Sequence, residues 1–92
     1  MTFQIKWNDR ALRQLEKLSR RNPEIAQDIF KKVEWLAANA DNIDHERLKG
    51  RVESSLHSGQ YRIPYRVDRV KRLILVEDVD KHDAAYRKLK WR

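Results

Sequence analysis

Two periods of apolar and polar residues divide the first half of the chain into a strand and two helices. From Thr2 to Trp7 every second residue faces one apolar side, which is typical of a half-buried strand. Two segments with apolar residues three or four positions apart follow, one after Asn8 and one after the pair Asn22-Pro23. Asparagine favours the position before a helix, and proline favours its first turn. The pattern therefore predicts a strand and then an antiparallel helix hairpin.

The second half of the chain changes to shorter segments with the period of strands. Residues 38–46 are polar and are interpreted as a loop, and residues 52–57 predict a weak strand. The dipeptide Ser58-Gly59 is a hairpin signal. Residues 60–68 then alternate more clearly than any other part of the chain, with Tyr, Ile, Tyr and Val at odd positions. Within this run Pro64 indicates an edge strand or a bulge, because proline cannot donate to a sheet ladder.

The last segments complete the predicted fold. Residues 68–71 read as a polar turn, and residues 73–79 are almost continuously apolar, as in a central strand covered on both faces. Residues 83–91 can form a short helix. The predicted order is β-α-α-β-β-β-α, an α+β fold in which the helix hairpin packs on a mostly antiparallel sheet. With 92 residues and no linker, residues 1–92 are interpreted as a single domain.

Composition narrows the possible partners and the compartment. The chain has 21 Lys and Arg against 14 Asp and Glu, a formal net charge of +7. Such an excess favours polyanions, including nucleic acid, acidic proteins and anionic membranes. There is no cysteine, so disulfides and thiolate metal sites are excluded. No segment has the length of a membrane span, and the first residues lack a secretory signal, so we expect a cytoplasmic protein without membrane contact.

The alternation in residues 60–68 places two arginines together. If the apolar residues face the helices, Arg62 and Arg66 project from the other side of the same strand. Arginine suits phosphate because its guanidinium presents forked donors. Further basic residues precede and follow the sheet, and with Arg66 they are our candidates for RNA binding: Lys49, Arg51, Lys81 and Arg87. The alternative is that these side chains are simply solvated charges.

The histidines raise the possibility of acid–base chemistry. Histidine exchanges protons near neutral pH. Cleavage of RNA by its own 2′-hydroxyl needs a base for that hydroxyl, an acid for the leaving oxygen and a cation for the phosphorane charge. His57, Arg62, His82 and Tyr86 supply these types and are the candidate catalytic residues, whereas His45 falls in the loop. The alternative is that the two histidines are incidental polar residues.

Chemistry that depends on a metal or another cofactor has weaker support in the sequence. Asp78, Asp80 and His82-Asp83 carry possible metal ligands, but no established metal-binding spacing is present. The chain has only two glycines, so it has no glycine-rich phosphate loop. We therefore expect neither a metal nor another cofactor.

Three stretches of the sequence resemble the RelE/ParE toxin superfamily. Leu48-Lys49-Gly50 resembles the leucine-basic-glycine step before the family's sheet. Residues 58–65, SGQYRIPY, resemble its glycine-x-tyrosine-arginine hairpin strand. Residues 79–87, VDKHDAAYR, resemble its C-terminal segment, and the preceding β-α-α order also agrees.

The resemblance implies a toxin of a type II toxin–antitoxin system. For RelE-like members it implies metal-independent cleavage of messenger RNA in the ribosomal A site, and inhibition by a cognate antitoxin that wraps around the toxin. By position, Arg62 would contact the phosphate and Tyr86 would orient the substrate or assist proton transfer. The chain departs from some ribosome-dependent members in two places: residues 53–55 lack their lysines, and His82 replaces an arginine.

Three functions remain open at this point. The first is a ribosome-dependent endoribonuclease, favoured by the presence of both histidines with Arg62 and Tyr86. The second is a ParE-like inhibitor of DNA gyrase, which needs no proton-transfer set. The third is a non-catalytic RNA- or protein-binding relative. The partners expected for the first are ribosome-bound messenger RNA and an antitoxin, with a possible hetero-oligomer.

Overall fold

The computed structural model describes residues 2–42 and 54–81, where two helices lie on one side of a five-stranded sheet. The elements are β1 (Gln4–Trp7), α1 (Asp9–Arg21), α2 (Pro23–Asn39), β2 (Ser54–Ser58), β3 (Tyr61–Asp68), β4 (Leu73–Val76) and β5 (Asp80–Lys81). The α+β architecture with a helix hairpin on a mostly antiparallel sheet is confirmed. The helix predicted over residues 83–91 lies outside the described residues.

Both helices begin at the residues that the sequence indicates. The Asn8 side chain accepts a 2.8 Å hydrogen bond from the Ala11 amide, which satisfies one of the exposed donors at the start of α1. The backbone of Asn22 contacts both helices. Its amide donates a hydrogen bond to the Leu18 carbonyl at the end of α1, and its carbonyl accepts one from the Ala26 amide at the start of α2. The Asn22 side chain makes no capping bond. Helix α2 continues to Asn39, so the loop predicted from residue 38 starts slightly later.

The sheet has the order β1-β4-β3-β2, with β5 paired to the other end of β3. Strand β4 lies between β1, to which it is parallel, and β3, to which it is antiparallel. The central position predicted for this strand is therefore confirmed. Strands β2 and β3 form an antiparallel hairpin whose turn contains Gly59 at φ 57°, in the left-handed region that glycine adopts without strain.

Of the two alternatives that Pro64 indicates, the edge position is wrong, because β3 lies in the middle of the sheet. The pairing is irregular there, as in a bulge, since residues 63–64 lie opposite residues 77–79. The Pro64 carbonyl accepts a 2.8 Å hydrogen bond from the Glu77 amide, so its nitrogen also faces the β4 side. The pairing between strands is interrupted at Pro64. On its two sides, β3 pairs with β4 through Tyr65–Asp68 and with β5 through Tyr61 and Arg62. The sheet tolerates the missing donor because Pro64 lies between these two pairings.

The same interruption shortens the predicted strand over residues 73–79. Only Leu73–Val76 forms β4, and the chain leaves the ladder after the bond from the Glu77 amide to the Pro64 carbonyl. It returns as the two-residue strand β5, in which Asp80 lies opposite Arg62 and Lys81 opposite Tyr61. An apolar run alone does not show this break, since it depends on the proline in the neighbouring strand.

The core lies between the helix hairpin and one face of the sheet. Its largest fully buried side chains come from α2, β3 and β4: Ile29, Val33, Leu36, Ile63, Tyr65, Ile74 and Val76. The odd positions of β3 thus face the helices, as the alternation predicts. In the part of the chain that the structure describes, no helix is long and apolar enough to cross a membrane.

A polar contact joins α2 to β2 at the edge of this core. The Asp28 carboxylate accepts a 2.5 Å hydrogen bond from the buried Ser58 hydroxyl and lies 3.7 Å from the Lys32 ammonium. The bond from Ser58 and, to a smaller extent, the charge of Lys32 lower the pKa of the Asp28 carboxyl.

This contact predicts a specific dependence of stability on pH. Because folding lowers the pKa of Asp28, its contribution to the free energy of unfolding is present above its ordinary value of 3.8. It disappears as pH falls through the lower folded value. Asp28→Asn should therefore be less stable than the wild type at neutral pH, and the difference should shrink below pH 3.8 in urea titrations. The Ser58→Ala variant should behave in the same way, and a pH-independent difference for both variants would contradict this role.

Candidate functional site

The side of the sheet turned away from the helices, here called the far face, carries the even positions of β3. Arg62, Pro64 and Arg66 project there, because Ile63 and Tyr65 are buried on the helix side. The burial of Ile63 and Tyr65 on the helix side confirms the orientation that the sequence predicts for Arg62 and Arg66. Arg66 is exposed, whereas Arg62 is partly buried and its Nε atom is enclosed by protein.

His57 and Arg62 are direct cross-strand neighbours on the far face. They occupy the same register position of the β2–β3 hairpin. Side chains in such a pair have Cβ atoms about 4.5–5.5 Å apart. The His57 carbonyl also lies 3.4 Å from the Lys32 ammonium of α2, which links this end of β2 to the helix layer. The hairpin therefore places an imidazole beside a guanidinium, two groups that the sequence predicts to act together.

Carboxylates interrupt the positive charge of the far face. Arg66 Nε lies 3.1 Å from the Glu77 carboxylate, and this carboxylate also accepts a 3.4 Å hydrogen bond from the Asn8 side chain. At the other end of β3, Asp80 lies opposite Arg62 in the register with β5. The far face within the described residues is thus mixed in charge rather than purely cationic. Any phosphate bound at Arg66 must compete with Glu77 for the guanidinium.

The segment after β4 is also held by helix α1. Arg10 Nε donates a 2.9 Å hydrogen bond to the Asp78 carboxylate. The hydrogen bond and charge of Asp78, followed by the charge of Asp80, raise the pKa of Arg10 above its ordinary value. The Asp78 carboxylate accepts a second bond from the Val79 amide. These contacts fix the chain just before the segment that resembles the family's C-terminal motif.

Lys81 does not join Arg62 and Arg66. It lies opposite Tyr61, whose side chain packs against the core on the helix side. There Lys81 borders an open cleft of about 290 Å³ between β5 and the C-terminal half of α1. Its polar lining consists of Gln14, Lys17, Arg21, Tyr61, Asp80 and Lys81. Sequence reasoning missed Lys17 and Arg21, although their spacing of four residues on a helix places them on one side.

The structure brings together only part of the predicted site. His57, Arg62 and Arg66 share the far face, and Lys81 lies on the opposite side of the sheet. The remaining candidates lie outside the described residues: Lys49, Arg51, His82, Tyr86 and Arg87. Among residues 2–42 and 54–81, no three side chains of His, Asp or Glu are arranged to hold a metal ion.

Comparison with known proteins gives consistent family and fold matches. The sequence profile of the ParE toxin of type II toxin–antitoxin systems, parDE, matches residues 5–86. The structure is similar to a mutant of Escherichia coli toxin RelE in the free state, with a TM-score of 0.73 and 25% identity. The match covers 94% of this chain and 90% of that chain. No curated protein sequence matches the chain.

Two further solved structures share the fold. The RelBE2 toxin–antitoxin complex of Mycobacterium tuberculosis gives a TM-score of 0.72 at 22% identity, covering 88% of this chain and 92% of that chain. The chromosomal ParDE system of Pseudomonas aeruginosa gives 0.72 at 18% identity, covering 87% and 96%. At these identities the two likenesses show the fold alone. RelE and ParE proteins both match it, so the fold does not choose between them.

Proposed function

The chain belongs to the ParE toxin family of type II toxin–antitoxin systems, and we propose that it acts as a ribosome-dependent endoribonuclease that cuts messenger RNA in the A site. The observation that carries this proposal is the cross-strand pair of His57 and Arg62. A guanidinium that binds phosphate and an imidazole that exchanges a proton stand side by side. Gyrase inhibition gives no reason for this pairing, whereas cleavage of RNA by its own 2′-hydroxyl uses a base for that hydroxyl and a cation for the phosphorane charge.

The proposed chemistry is an internal transesterification. His57 removes the proton from the 2′-hydroxyl, whose oxygen attacks the adjacent phosphorus. Arg62 stabilises the negative charge that develops on the phosphorane oxygens. The bond from phosphorus to the 5′-oxygen breaks, and His82 donates a proton to that oxygen. The products are a 2′,3′-cyclic phosphate and a 5′-hydroxyl, while Tyr86 orients the substrate, and no metal takes part.

A second candidate function is inhibition of DNA gyrase in the manner of ParE. The match of the ParE toxin profile to residues 5–86 favours it. The ion pair of Arg66 with Glu77 also favours it, because this carboxylate lies where a cleaving enzyme would bind phosphate. Such a toxin would bind gyrase through its surface and would transfer no proton. Substitution of His57 would therefore have little effect on toxicity.

One paired experiment separates these two functions. Messenger 5′ ends are mapped by primer extension after brief induction of the chain, and gyrase-dependent DNA cleavage is measured in the same cells. We expect new ends within translated codons and no increase in DNA cleavage. DNA cleavage without new messenger ends would overturn the proposed activity in favour of the gyrase inhibitor.

We further propose that a cognate antitoxin with an acidic or amphipathic segment binds the far face, which carries Arg62 and Arg66, and excludes RNA from it. The similar RelBE2 protein was solved as a toxin–antitoxin complex, which supports a partner of this kind. Opposite charges steer association, so the association rate should fall as salt rises, as measured by stopped-flow fluorescence. A rate independent of salt, together with unchanged RNA binding in the complex, would show that the partner binds elsewhere.

A further inference from the structure

Helix α1 carries a cationic row on its solvent-exposed surface. Arg13, Lys17 and Arg21 recur every four residues and are all exposed. Successive members are about 6 Å apart along the helix axis, given a rise of 1.5 Å per residue. This spacing is comparable with that of successive phosphates in a nucleic-acid strand. Within the described residues, no ion pair joins these three side chains to a carboxylate.

The cationic row leads into the cleft between α1 and β5. Lys17 and Arg21 line one wall of the cleft, and Lys81 lines the other. Asp80 also borders the cleft, although its pairing with Arg62 places it on the far face. Among the described residues the cleft is therefore bordered by three cationic residues and one acidic residue. The net charge of the lining favours an anion, and its openness to solvent admits a chain rather than requiring a small molecule.

Tyr61 distinguishes the expected ligand from a generic polyanion. Its half-buried side chain lines the cleft beside Lys17, Arg21 and Lys81. Proteins that bind single-stranded nucleic acid combine a positively charged groove with aromatic rings on which bases stack. An acidic peptide needs the cations but gains little from the ring. The combination therefore fits a single-stranded RNA better than an acidic protein.

We propose that a single-stranded RNA lies along the cationic row and enters this cleft, on the opposite side of the sheet from His57 and Arg62. Lys17, Arg21 and Lys81 bind its phosphates, and Tyr61 stacks on a base. This site rests on the proposed action on RNA and deepens it, because it supplies a second RNA contact that anchors the toxin away from the scissile phosphate.

The site is tested by direct binding rather than by cleavage. A short fluorescein-labelled single-stranded RNA is titrated with the Arg62→Ala chain, in which the far-face contact is removed. The double substitution Lys17→Gln/Arg21→Gln is then added to this background. Removing two phosphate contacts should reduce the slope of log affinity against log salt by about 1.4 between roughly 50 and 200 mM salt. Glutamine has a helix propensity close to that of lysine and arginine, so α1 should be retained.

A matched control removes the same charge elsewhere. Lys31 on α2 and Lys71 in the β3–β4 turn are both exposed and lie outside the cleft. Lys31→Gln/Lys71→Gln should leave the slope nearly unchanged. An equal loss in both doubles would overturn the site by showing a general effect of net charge. If Lys17→Gln/Arg21→Gln loses binding to a polyglutamate peptide while its RNA binding is unchanged, the proposed site is also overturned. The cleft would then be assigned to an acidic protein.

Two substitutions of Tyr61 test the role of its ring. Tyr61→Phe keeps the ring and should keep the RNA affinity, whereas Tyr61→Leu should lower it at least about fivefold. Equal affinities for the two variants would overturn the stacking contact. The two proposals can fail separately. If the wild-type chain does not cut messenger RNA, it can still bind RNA at this cleft, and the binding experiment still tests the site.

Discussion

Replacing Arg62 with alanine should reduce messenger cleavage on programmed ribosomes at least about tenfold, which corresponds to about 1.4 kcal/mol of transition-state stabilisation. The reason is that, in the proposed mechanism, the guanidinium of Arg62 beside His57 neutralises the charge of the phosphorane. Single-turnover rates at saturating ribosome measure this loss directly. Induced toxicity should fall in parallel, provided that the variant accumulates to the wild-type level.

The controls for Arg62 separate charge, geometry and folding. Arg62→Lys keeps the charge but loses the forked donors, so its rate should lie between those of the wild type and the alanine variant. Arg66→Ala should have a smaller effect, since Glu77 already pairs with that guanidinium. Because Arg62 is partly buried, the alanine variant should also lose about 1 kcal/mol of stability. A folded Arg62→Ala protein that cleaves at the wild-type rate would show that this arginine has only a structural role.

The fold could be predicted largely from local signals. Asn8 and Pro23 mark helix starts through backbone chemistry that acts within one turn, and the alternation over β3 follows directly from the pleat of a strand. The break after Val76 could not be predicted in this way. It depends on Pro64, which comes 12 positions earlier in sequence and removes a donor from the neighbouring strand.

The candidate site was harder to predict because its charges come from distant parts of the chain. Alternation places Arg62 and Arg66 on one face, but only the register of β2, β3 and β5 shows that His57 and Asp80 lie opposite Arg62. The same register turns Lys81 to the helix side. The ion pair of Arg66 with Glu77 likewise appears only in the folded structure. A net charge of +7 predicts a basic protein without showing where the carboxylates intervene.

Replacing His57 with glutamine should slow single-turnover cleavage by about a hundredfold or more, the usual effect of losing a general acid or base. Glutamine keeps a polar side chain of similar size but cannot exchange a proton, so stability and ribosome binding should change little. A histidine base must be neutral to act, and the wild-type rate should therefore fall on the acidic side of its pH profile. His57→Gln should abolish this acidic limb.

His82→Gln should instead abolish the alkaline limb, because a general acid must carry its proton. If both limbs persist in each variant, the histidines do not transfer the protons. Proton transfer would then fall to Tyr86 and the ribosome, with Arg62 supplying charge alone.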